Sequence, residues 1–489
     1  MAMESSLSNV SFGQLVLSSF AACLTYCVFR VLHNIYFHPL AKFPGPELRA
    51  AFFFPSHYEV LTGDVPTNWH KLHEKYGDIV RINPNTLSII KPEAWRDIYG
   101  HGNTMPLPKD LRYYAANNAD HARIRRPLNH AFSEQALRSQ EEIINSYITL
   151  MIQKLHKREE SKTPADIMRW LNFTTFDITG DLTFDESFGS LEAEDYNSWI
   201  ANLFGKLRVA SRIRLLKDYP IIGTPIMALL QFVPALAKAR HAHDSYTADR
   251  VARRLGKESD RKDFISYIQK HNGEKGVTVD EIKQTSGTLI IAGSETSATL
   301  LSGAIYYLLK NPEWMSKLHH ELRNSFKDES QISFASLSQL KILNAIIQET
   351  FRMYPPVPTF LPRFVPKPGA TICGTFIPPG THLGITQYPA YRSSRNFKDP
   401  NTYAPQRFLG DGDYADDKRS VIQPFSVGPR NCIGQNLAWA EIRTILARLV
   451  WHFEFELESE SQDWEHQKVF VLWQKPSLMV RLKARTALA

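Results

Sequence analysis

The strongest hydrophobic pattern in the chain lies near its N-terminus. Residues Ser5 to Phe29 include no charged side chain, and Val10–Phe29 is predominantly apolar. A helix of about 20 residues crosses the hydrocarbon core of a bilayer, so this segment is predicted to span a membrane once. Positive charges follow it at Arg30, Lys42 and Arg49, which predicts that the rest of the chain faces the cytosol. A buried core helix is the alternative interpretation.

Prolines become frequent directly after this segment. Pro39, Pro44 and Pro46 stiffen the chain, because each proline fixes its own φ angle. We therefore predict a membrane anchor over residues 1–32, with the span at about 10–29, and a proline-rich hinge over 33–49. A single large body is predicted over residues 50–489.

Within the body, apolar positions recur mostly at helical spacing. One helix is predicted over His121–Ser139, broken near Pro127, and another over Glu141–Lys157. Strand-type patterns cover Ile79–Ile90 and Thr371–Ile385. The predicted fold class is therefore mainly α with small β-sheets (α+β).

The most informative helix begins with a capping box, in which Thr278 is the N-cap and Glu281 follows three residues later. Helix-breaking residues appear only at Asn311-Pro312, so the helix is predicted to run for about 33 residues. Its middle segment, Ala292–Ser297, combines a glycine with hydroxyl side chains. Such residues should loosen the helix and open a groove.

An acid stands beside an alcohol in this segment, at Glu295 and Thr296. An acid and an alcohol in a groove form a plausible proton-delivery pair. The alternative is a packing kink with an exposed glutamate, and the segment alone does not choose between the two.

Two other charged patterns are of low specificity. Glu349 and Arg352 lie three residues apart and can pair on one helix face, but Glu93 and Arg96 show the same spacing. Taken alone, a surface ion pair is the favoured reading. The acidic stretch Asp411–Asp417 lacks the glycine and glutamate positions of a calcium loop, so we predict a solvated loop there.

Composition narrows the class of protein. The chain has 489 residues, 43% of them hydrophobic, which excludes a disordered chain. Its 57 Lys and Arg against 50 Asp and Glu give a net charge of +7, without a long basic block. This argues against a nucleic-acid partner. A diffuse positive surface fits an anionic membrane or an acidic protein partner better.

Cysteine usage points to a reducing compartment. Of the four cysteines, Cys23 and Cys27 lie in the apolar N-terminal stretch, which leaves Cys373 and Cys432 for the body. A disulfide framework is excluded by this count, and a reduced, cytosol-facing body is predicted.

The segment Phe425–Gly434 (FSVGPRNCIG) is far more specific than the other patterns. Its glycines and proline predict a tight turn around Cys432, and Gln435–Trp451 follows as an apolar-striped helix. Free amides at a helix start favour a thiolate, which suits a strong axial ligand of a redox metal. Zinc is disfavoured because no second ligand lies at finger spacing. Two other interpretations of Cys432 stay open at this point: a catalytic nucleophile and a buried structural cysteine.

This loop resembles the haem-binding signature FxxGxRxCxG of the cytochrome P-450 monooxygenases at every fixed position. The AGSETS segment resembles the central-helix motif of that family, and Glu349 with Arg352 matches its ExxR pair. Pro405–Phe408 (PQRF) matches the region that supplies a third member, Arg407. The resemblance covers essentially the whole chain and favours the fungal microsomal branch. It implies a single large haem domain behind an N-terminal transmembrane helix.

The resemblance also implies roles for individual residues. Cys432 would be the axial thiolate ligand of haem b iron, and Thr296 with Glu295 would relay protons to bound dioxygen. Other positions would contact haem or lock the core around it. The implied haem-contacting residues are Arg125, His121, Arg363, Arg430, Phe425 and Gly434. His121 stands where many family members have a tryptophan. The implied structural triad is Glu349, Arg352 and Arg407. Gln406 in PQRF replaces a family glutamate, with little expected consequence.

Substrate contacts follow by family position. They are the loop Met105–Asn118, Ile291, Ala292, Val357, Phe360 and Leu472. The apolar segment Pro220–Ala237 would be an access flap that dips into the membrane, or else an ordinary pair of core helices.

The implied activity is a membrane-bound monooxygenase that oxidises a lipophilic small molecule. Since the chain has no dinucleotide fingerprint, electrons would come from an NADPH-dependent cytochrome reductase, with cytochrome b5 as a second candidate. The reductase would dock on a basic face that includes Arg123, Arg126, Lys418 and Arg419. The resemblance places the enzyme at the endoplasmic reticulum and in fungal secondary metabolism. A haem-thiolate isomerase or dehydratase and a non-catalytic haem-binding membrane protein are the alternatives.

Overall fold

The computed structural model describes residues 11–100, 118–197, 199–200, 209, 211–213, 215–258, 261–271 and 276–485. Helices dominate this part of the chain. In chain order they are α1 Phe12–Leu32, α2 Glu47–Ala51, α3 Phe54–Thr62, α4 Val65–Tyr76, α5 Asn118–Ala131, α6 Glu134–Glu160, α7 Ile167–Phe184, α8 Ser190–Ala193, α9 Pro220–Leu230, α10 Pro234–Leu255, α11 Phe264–Lys270, α12 Val279–Lys310, α13 Pro312–Ser325, α14 Phe334–Leu337, α15 Lys341–Met353, α16 Gln387–Tyr391 and α17 Gln435–His452.

The strands are short and form small sheets. They are β1 Ile79–Asn83, β2 Thr86–Ile89, β3 Ala165–Asp166, β4 Arg363–Phe364, β5 Ala370–Ile372, β6 Thr375–Ile377, β7 His382–Ile385, β8 Phe453–Leu457, β9 Val469–Phe470, β10 Leu472–Trp473 and β11 Met479–Ala484. One sheet has the order β1-β2-β7-β4, a second the order β3-β11-β8, and β5-β6 and β9-β10 form hairpins. Only β2 and β7 pair in parallel, with Thr86 opposite His382; the other described pairs are antiparallel.

The N-terminal helix α1 has no buried residue. Together with the π-helical turn His33–Phe37 it makes an apolar helix of 26 residues, Phe12–Phe37, which is long enough to cross a bilayer. Ser11 and Gln14 cap its start reciprocally. The described helix thus fits the predicted anchor.

The predicted hinge contacts the body through hydrogen bonds. The buried guanidinium of Arg81 donates to the carbonyl oxygen of Asn34 at 2.9 Å, and the amide of Arg81 donates to the carbonyl of Pro44 at 2.8 Å. The Asn34 side chain donates to the carbonyl of Ala51 at 3.0 Å. These bonds hold the start of the body against β1; the boundary at residue 50 stays a prediction.

The long helix α12 crosses the centre of the main hydrophobic core. Its N-cap is Thr278 and the predicted capping box with Glu281 is present. The helix ends before Asn311-Pro312, as predicted, but it is unbroken through Ala292–Ser297, where the sequence predicted a loosened helix. Residues of α7, α15 and α17 belong to the same buried cluster. The centre of α12 is therefore positioned by packing from several sides.

One predicted helix boundary is wrong. Pro127 lies inside α5, and the break comes later, between Ala131 and Glu134. Ser133 is the N-cap of α6, and its hydroxyl accepts a hydrogen bond from the amide of Ala136 at 3.2 Å. The capping serine, rather than the proline, sets the boundary, because its side chain satisfies an amide that the new helix leaves free.

Candidate functional site

The loop that carries Cys432 is held by backbone hydrogen bonds. The amide of Cys432 donates to the carbonyl of Phe425 at 2.8 Å, and the amide of Asn431 donates to that of Gly428 at 3.0 Å. Gly428 has φ +78°, and a Cβ there would lie 1.8 Å from the carbonyl oxygen of Tyr99. Only glycine fits this close approach in a left-handed conformation. The loop geometry therefore depends on the sequence pattern that predicted it.

The Cys432 side chain lies on the wall of a cavity of about 350 Å³. Burial raises the pKa of its thiol, and this is opposed by the amide of Gly434 and the guanidinium of Arg125. A thiol in this setting loses its proton when a metal cation binds the sulfur. Gly434 is the N-cap of α17, as the predicted helix start requires.

The middle of α12 forms another part of the cavity wall. Ala292, Gly293 and Thr296 line it, and the Thr296 hydroxyl donates to the carbonyl of Ala292 at 2.6 Å. The small side chains leave room beside the hydroxyl. The structure therefore brings together Thr296 and Cys432, which are far apart in the chain.

The predicted substrate contacts divide into two groups. Ala292 and Val357 line the cavity, whereas Ile291, Phe360 and Leu472 are not part of its described wall. Phe360 instead packs on Trp69, with ring centroids 5.4 Å apart. The predicted loop Met105–Asn118 falls outside the described residues, apart from Asn118 itself.

Glu295 is buried and takes part in an ion pair. Its carboxylate accepts a hydrogen bond from the ammonium of Lys475 at 2.5 Å, and both side chains are 4% exposed. Lys475 also donates to the Thr299 hydroxyl at 2.7 Å. Glu295 is absent from the described cavity wall. The exposed glutamate of the alternative interpretation is thus ruled out, and the relay role of Glu295 stays a prediction.

Cations gather at one end of the cavity. Arg430 lines it, and burial together with the charge of Arg430 lowers the pKa of the Arg363 guanidinium. Arg363 is 4% exposed, lies over the Tyr99 ring at 4.6 Å and donates to the carbonyl of Pro362. Neighbouring cations of this kind, one buried and one half-buried, are stabilised by an anionic ligand.

Arg125 belongs to the same region. It donates to the backbone carbonyl and to the side-chain oxygen of Asn431, both at 2.7 Å, which places it beside the Cys432 loop. His121 lies one turn earlier on α5. The side chain of Arg430 donates to Asn118 at 2.9 Å.

The predicted triad forms a fully buried charge network. Glu349 accepts hydrogen bonds from Arg352 at 2.7 and 2.8 Å and from Arg407 at 3.2 Å. Arg407 also pairs with Asp417. The prediction of a solvated loop over the acidic stretch is therefore wrong for Asp417, whose side chain is 1% exposed. The carboxylate of Asp417 supplies the counter-charge for Arg407.

The site fits haem on chemical grounds. It presents a thiol sulfur, a largely apolar wall and neighbouring guanidinium groups, which match the iron, macrocycle and propionates of haem. Several buried polar atoms around it have no partner in the described residues, among them the hydroxyls of Thr179 and Ser426. Such atoms indicate a ligand or ordered water.

The sequence profile of the cytochrome P450 family matches residues 44–481. The chain belongs to this family. It is 42% identical over 482 residues to cytochrome P450 monooxygenase astJ of Aspergillus oryzae, covering 94% of this chain and 95% of that protein. It is 41% identical over 482 residues to cytochrome P450 monooxygenase astA of Talaromyces wortmannii, covering 96% and 97%. It is 39% identical over 500 residues to cytochrome P450 monooxygenase efuB of Hormonema carpetanum, covering 98% and 99%.

Membership in the cytochrome P450 family confirms the predicted fold class, the haem cofactor and the predicted enzyme class, a monooxygenase. Enzymes of this family act on small molecules and receive electrons from redox-partner reductases. The roles predicted for single residues rest on the geometry above and stay predictions.

Sequence reasoning missed three buried charged residues near the site. Lys475 neutralises Glu295, Asp417 neutralises Arg407, and Glu441 on α17 lies in the cavity wall. Neither Lys475 nor Asp417 stands at a recognisable spacing from its partner. Glu441 follows Cys432 by nine residues and is the only acid of helix α17, and a lone acid within the apolar stripe of that helix was the available signal.

Proposed function

We propose that this cytochrome P450 inserts an oxygen atom into a lipophilic small molecule, in a pathway of fungal secondary metabolism. One observation carries the proposal: the Cys432 sulfur and the Thr296 hydroxyl face the same largely apolar cavity. The similarity to fungal cytochrome P450 monooxygenases supports the assignment to fungal metabolism. A terpenoid, polyketide or alkaloid skeleton is the expected substrate class.

Several residues would hold haem in this cavity. Cys432 would bind the iron, and Arg125, His121, Arg363 and Arg430 would bind the propionates. When bound, haem supplies dioxygen activation, which an axial thiolate promotes by donating electron density. Phe425 would pack beside the macrocycle, as its ring already packs on Phe351 with centroids 5.3 Å apart. Gly434 would leave space where the loop joins α17.

The remaining chemistry belongs to side chains of the cavity wall. The Thr296 hydroxyl would hold a proton at Oγ1 in the cavity that Cys432 also lines, and Glu295 is the predicted acid next to it. The apolar wall, which includes Ala292 and Val357, would exclude water and orient an apolar substrate.

We propose that the enzyme is anchored in the endoplasmic reticulum by α1, with the body in the cytosol. Exposed apolar side chains also lie on α9 and on the turn after it. Ile221 is 91% exposed and Phe232 is 75% exposed. A second exposed apolar group lies on α3, and His57 of α3 contacts Tyr219 just before α9 at 2.9 Å. These surfaces would rest on the membrane and admit a lipophilic substrate.

An NADPH-dependent cytochrome reductase is the proposed electron donor, with cytochrome b5 as a second candidate. Arg126, Lys418 and Arg419 are exposed and would contact an acidic partner. Arg123 is already paired with Glu281 at 2.5 Å, so its contribution to docking should be smaller.

The test is a carbon monoxide difference spectrum of the dithionite-reduced protein in microsomes, with Cys432→Ser alongside. A Soret band at the position of thiolate-ligated haem, lost in the variant, supports the proposal. A band at the imidazole-ligated position in the wild type would overturn it. Reductase-dependent NADPH oxidation with incorporation of labelled dioxygen into a product then distinguishes a monooxygenase from an isomerase or a non-catalytic protein.

A further inference from the structure

Two buried carboxylates lie beside the middle of α12, and their surroundings differ. Glu295 precedes Thr296 and is paired with the buried ammonium of Lys475. Glu441 reaches α12 from α17, and its carboxylate accepts a hydrogen bond from the Ser297 hydroxyl at 3.1 Å. Thr296 is therefore flanked in the helix by an acid that pairs with a cation and by a serine whose acid partner has no cation.

The other buried acids of the described residues are all compensated. Glu59, Asp181, Asp263, Glu349 and Asp417 each pair with an arginine. Asp177 accepts backbone amide hydrogen bonds from Ser190 and Leu191. Within the described residues, Glu441 has a single hydroxyl as its partner.

Glu441 also has unused hydrogen-bonding capacity inside the cavity. It is 1% exposed, lines the cavity together with Thr296 and Ser297, and its Oε1 atom has no partner among the described residues. A buried carboxylate oxygen without a partner is costly unless a proton, a water molecule or a ligand satisfies it. The cavity is large enough to hold water beside it.

Burial raises the pKa of the Glu441 carboxyl to about 8, and the Ser297 hydroxyl opposes the shift only in part. Cys432 and Arg430 are the other titratable groups of the described cavity wall. A carboxyl with such a pKa carries its proton near neutral pH and can release it. Glu295, in contrast, has the buried ammonium of Lys475 as its partner.

We propose that Glu441 is the proton-storing group of the cavity and that it supplies protons to the Thr296 side through Ser297, while Glu295 is held in an ion pair with Lys475. This inference rests on the proposed function. In the transfer, the O–H bond of Glu441 breaks as its proton moves to Ser297 Oγ. The hydroxyl proton of Ser297 passes to a water molecule or to Thr296, and Glu441 is left as a carboxylate. A proton from bulk water then restores it.

The first test detects the proton itself in the resting holoenzyme. Infrared difference spectra in H₂O and D₂O should show the carbonyl stretch of a protonated carboxylic acid at neutral pH. This band should disappear in Glu441→Gln and persist in Glu295→Gln. A band that persists in Glu441→Gln, or one lost in Glu295→Gln, would overturn the assignment.

The second test follows proton supply without a known substrate. The dithionite-reduced protein is mixed with air-saturated buffer, and the return of the ferric spectrum is timed. Both Glu441→Gln and Ser297→Ala should slow it about tenfold, since a positioned acid contributes at least that much, and both should alter its solvent isotope effect. Ser302→Ala is the matched control, because Ser302 is a buried serine of the same helix whose hydroxyl bonds the carbonyl of Ala298 at 2.7 Å.

The outcomes separate this inference from the proposed function. A normal carbon monoxide spectrum with unchanged reoxidation in Glu441→Gln would overturn the proton-storage role and leave the haem-thiolate assignment intact. If Glu441→Gln does not bind haem, the Ser297→Ala variant tests the inference instead. It keeps the carboxyl but removes its hydrogen bond, so the carbonyl band should shift, and an unshifted band would refute the contact on which the inference depends.

Discussion

The charge network around Glu349 gives the sharpest stability prediction. Glu349 and Asp417 supply two negative charges to Arg352 and Arg407, and the exposed fraction of all four side chains is 1% or less. Glu349 additionally accepts the amide of Ala404 at 2.8 Å. Glu349→Gln removes one charge and turns an amide nitrogen toward guanidinium donors, so one buried arginine loses its counter-charge.

The expected cost follows from burial. Breaking a buried pair costs about 3–5 kcal/mol, because it leaves an uncompensated charge in the interior. Unfolding entropy of about 2 cal/mol/K per residue makes each kcal/mol worth roughly 1 °C in a fold of this size. We therefore expect Glu349→Gln to lower the midpoint of thermal unfolding of the holoenzyme by about 3–5 °C.

The chain offers a matched control. Asp280 and Lys283 form an ion pair with the same spacing of three residues at 3.0 Å, but Asp280 is 82% exposed. An exposed pair contributes about 0.5 kcal/mol or less, so Asp280→Asn should leave the midpoint within about 1 °C of wild type. Equal midpoints for the two variants in circular dichroism melts would refute the argument that burial makes the Glu349 pair costly to break.

Three further predictions concern the cavity and the membrane. Lys475→Met should destabilise the protein by about 3–5 kcal/mol, because it leaves Glu295 buried without its cation. In thermal melts, the double variant with Glu295→Gln should recover most of this loss. A double variant as unstable as Lys475→Met would contradict the pairing. Because the pKa of Glu441 is raised in the folded protein, the wild type loses folding free energy as pH rises from the unfolded pKa of the carboxyl toward 8. Glu441→Gln has no such loss, so its free energy of unfolding should rise relative to wild type by on the order of 3 kcal/mol between pH 6 and pH 8. Parallel curves of stability against pH for the two proteins would contradict this. Replacing Phe232 with benzoylphenylalanine should yield lipid photoadducts in microsomes. The same replacement of Leu409, which is 41% exposed and lies beside Trp439 and Arg443 of α17, should not; equal adducts would refute the membrane face.

The parts of the site that the sequence predicted are those encoded by neighbouring residues. The Cys432 loop is contiguous, and the approach of Gly428 to Tyr99 explains why its pattern is so restrictive. The capping box of α12 is equally local, since Thr278 and Glu281 lie one turn apart. Local patterns of this kind need no knowledge of the tertiary structure.

The parts that it missed depend on contacts between distant segments. Ser297 and Glu441 are 144 residues apart in the chain, and Glu295 and Lys475 are 180 residues apart. No spacing rule connects such residues, because the packing of α12 against its neighbours creates the contacts. The helix boundary predicted near Pro127 was wrong for a related reason. Packing tolerates a proline within α5, and the Ser133 cap determines where the next helix begins.

The presence of an acid at position 441 is hard to explain by stability alone. Glutamine has nearly the same shape, would accept the same hydrogen bond from Ser297 and would have no charged form to bury. An ionisable group at this position costs stability as pH rises, whereas Glu59 or Glu349 are held by arginines. Groups that reduce stability in this way concentrate at functional sites, where the chemistry requires them. The lack of a counter-charge is therefore what links Glu441 to the chemistry of the cavity.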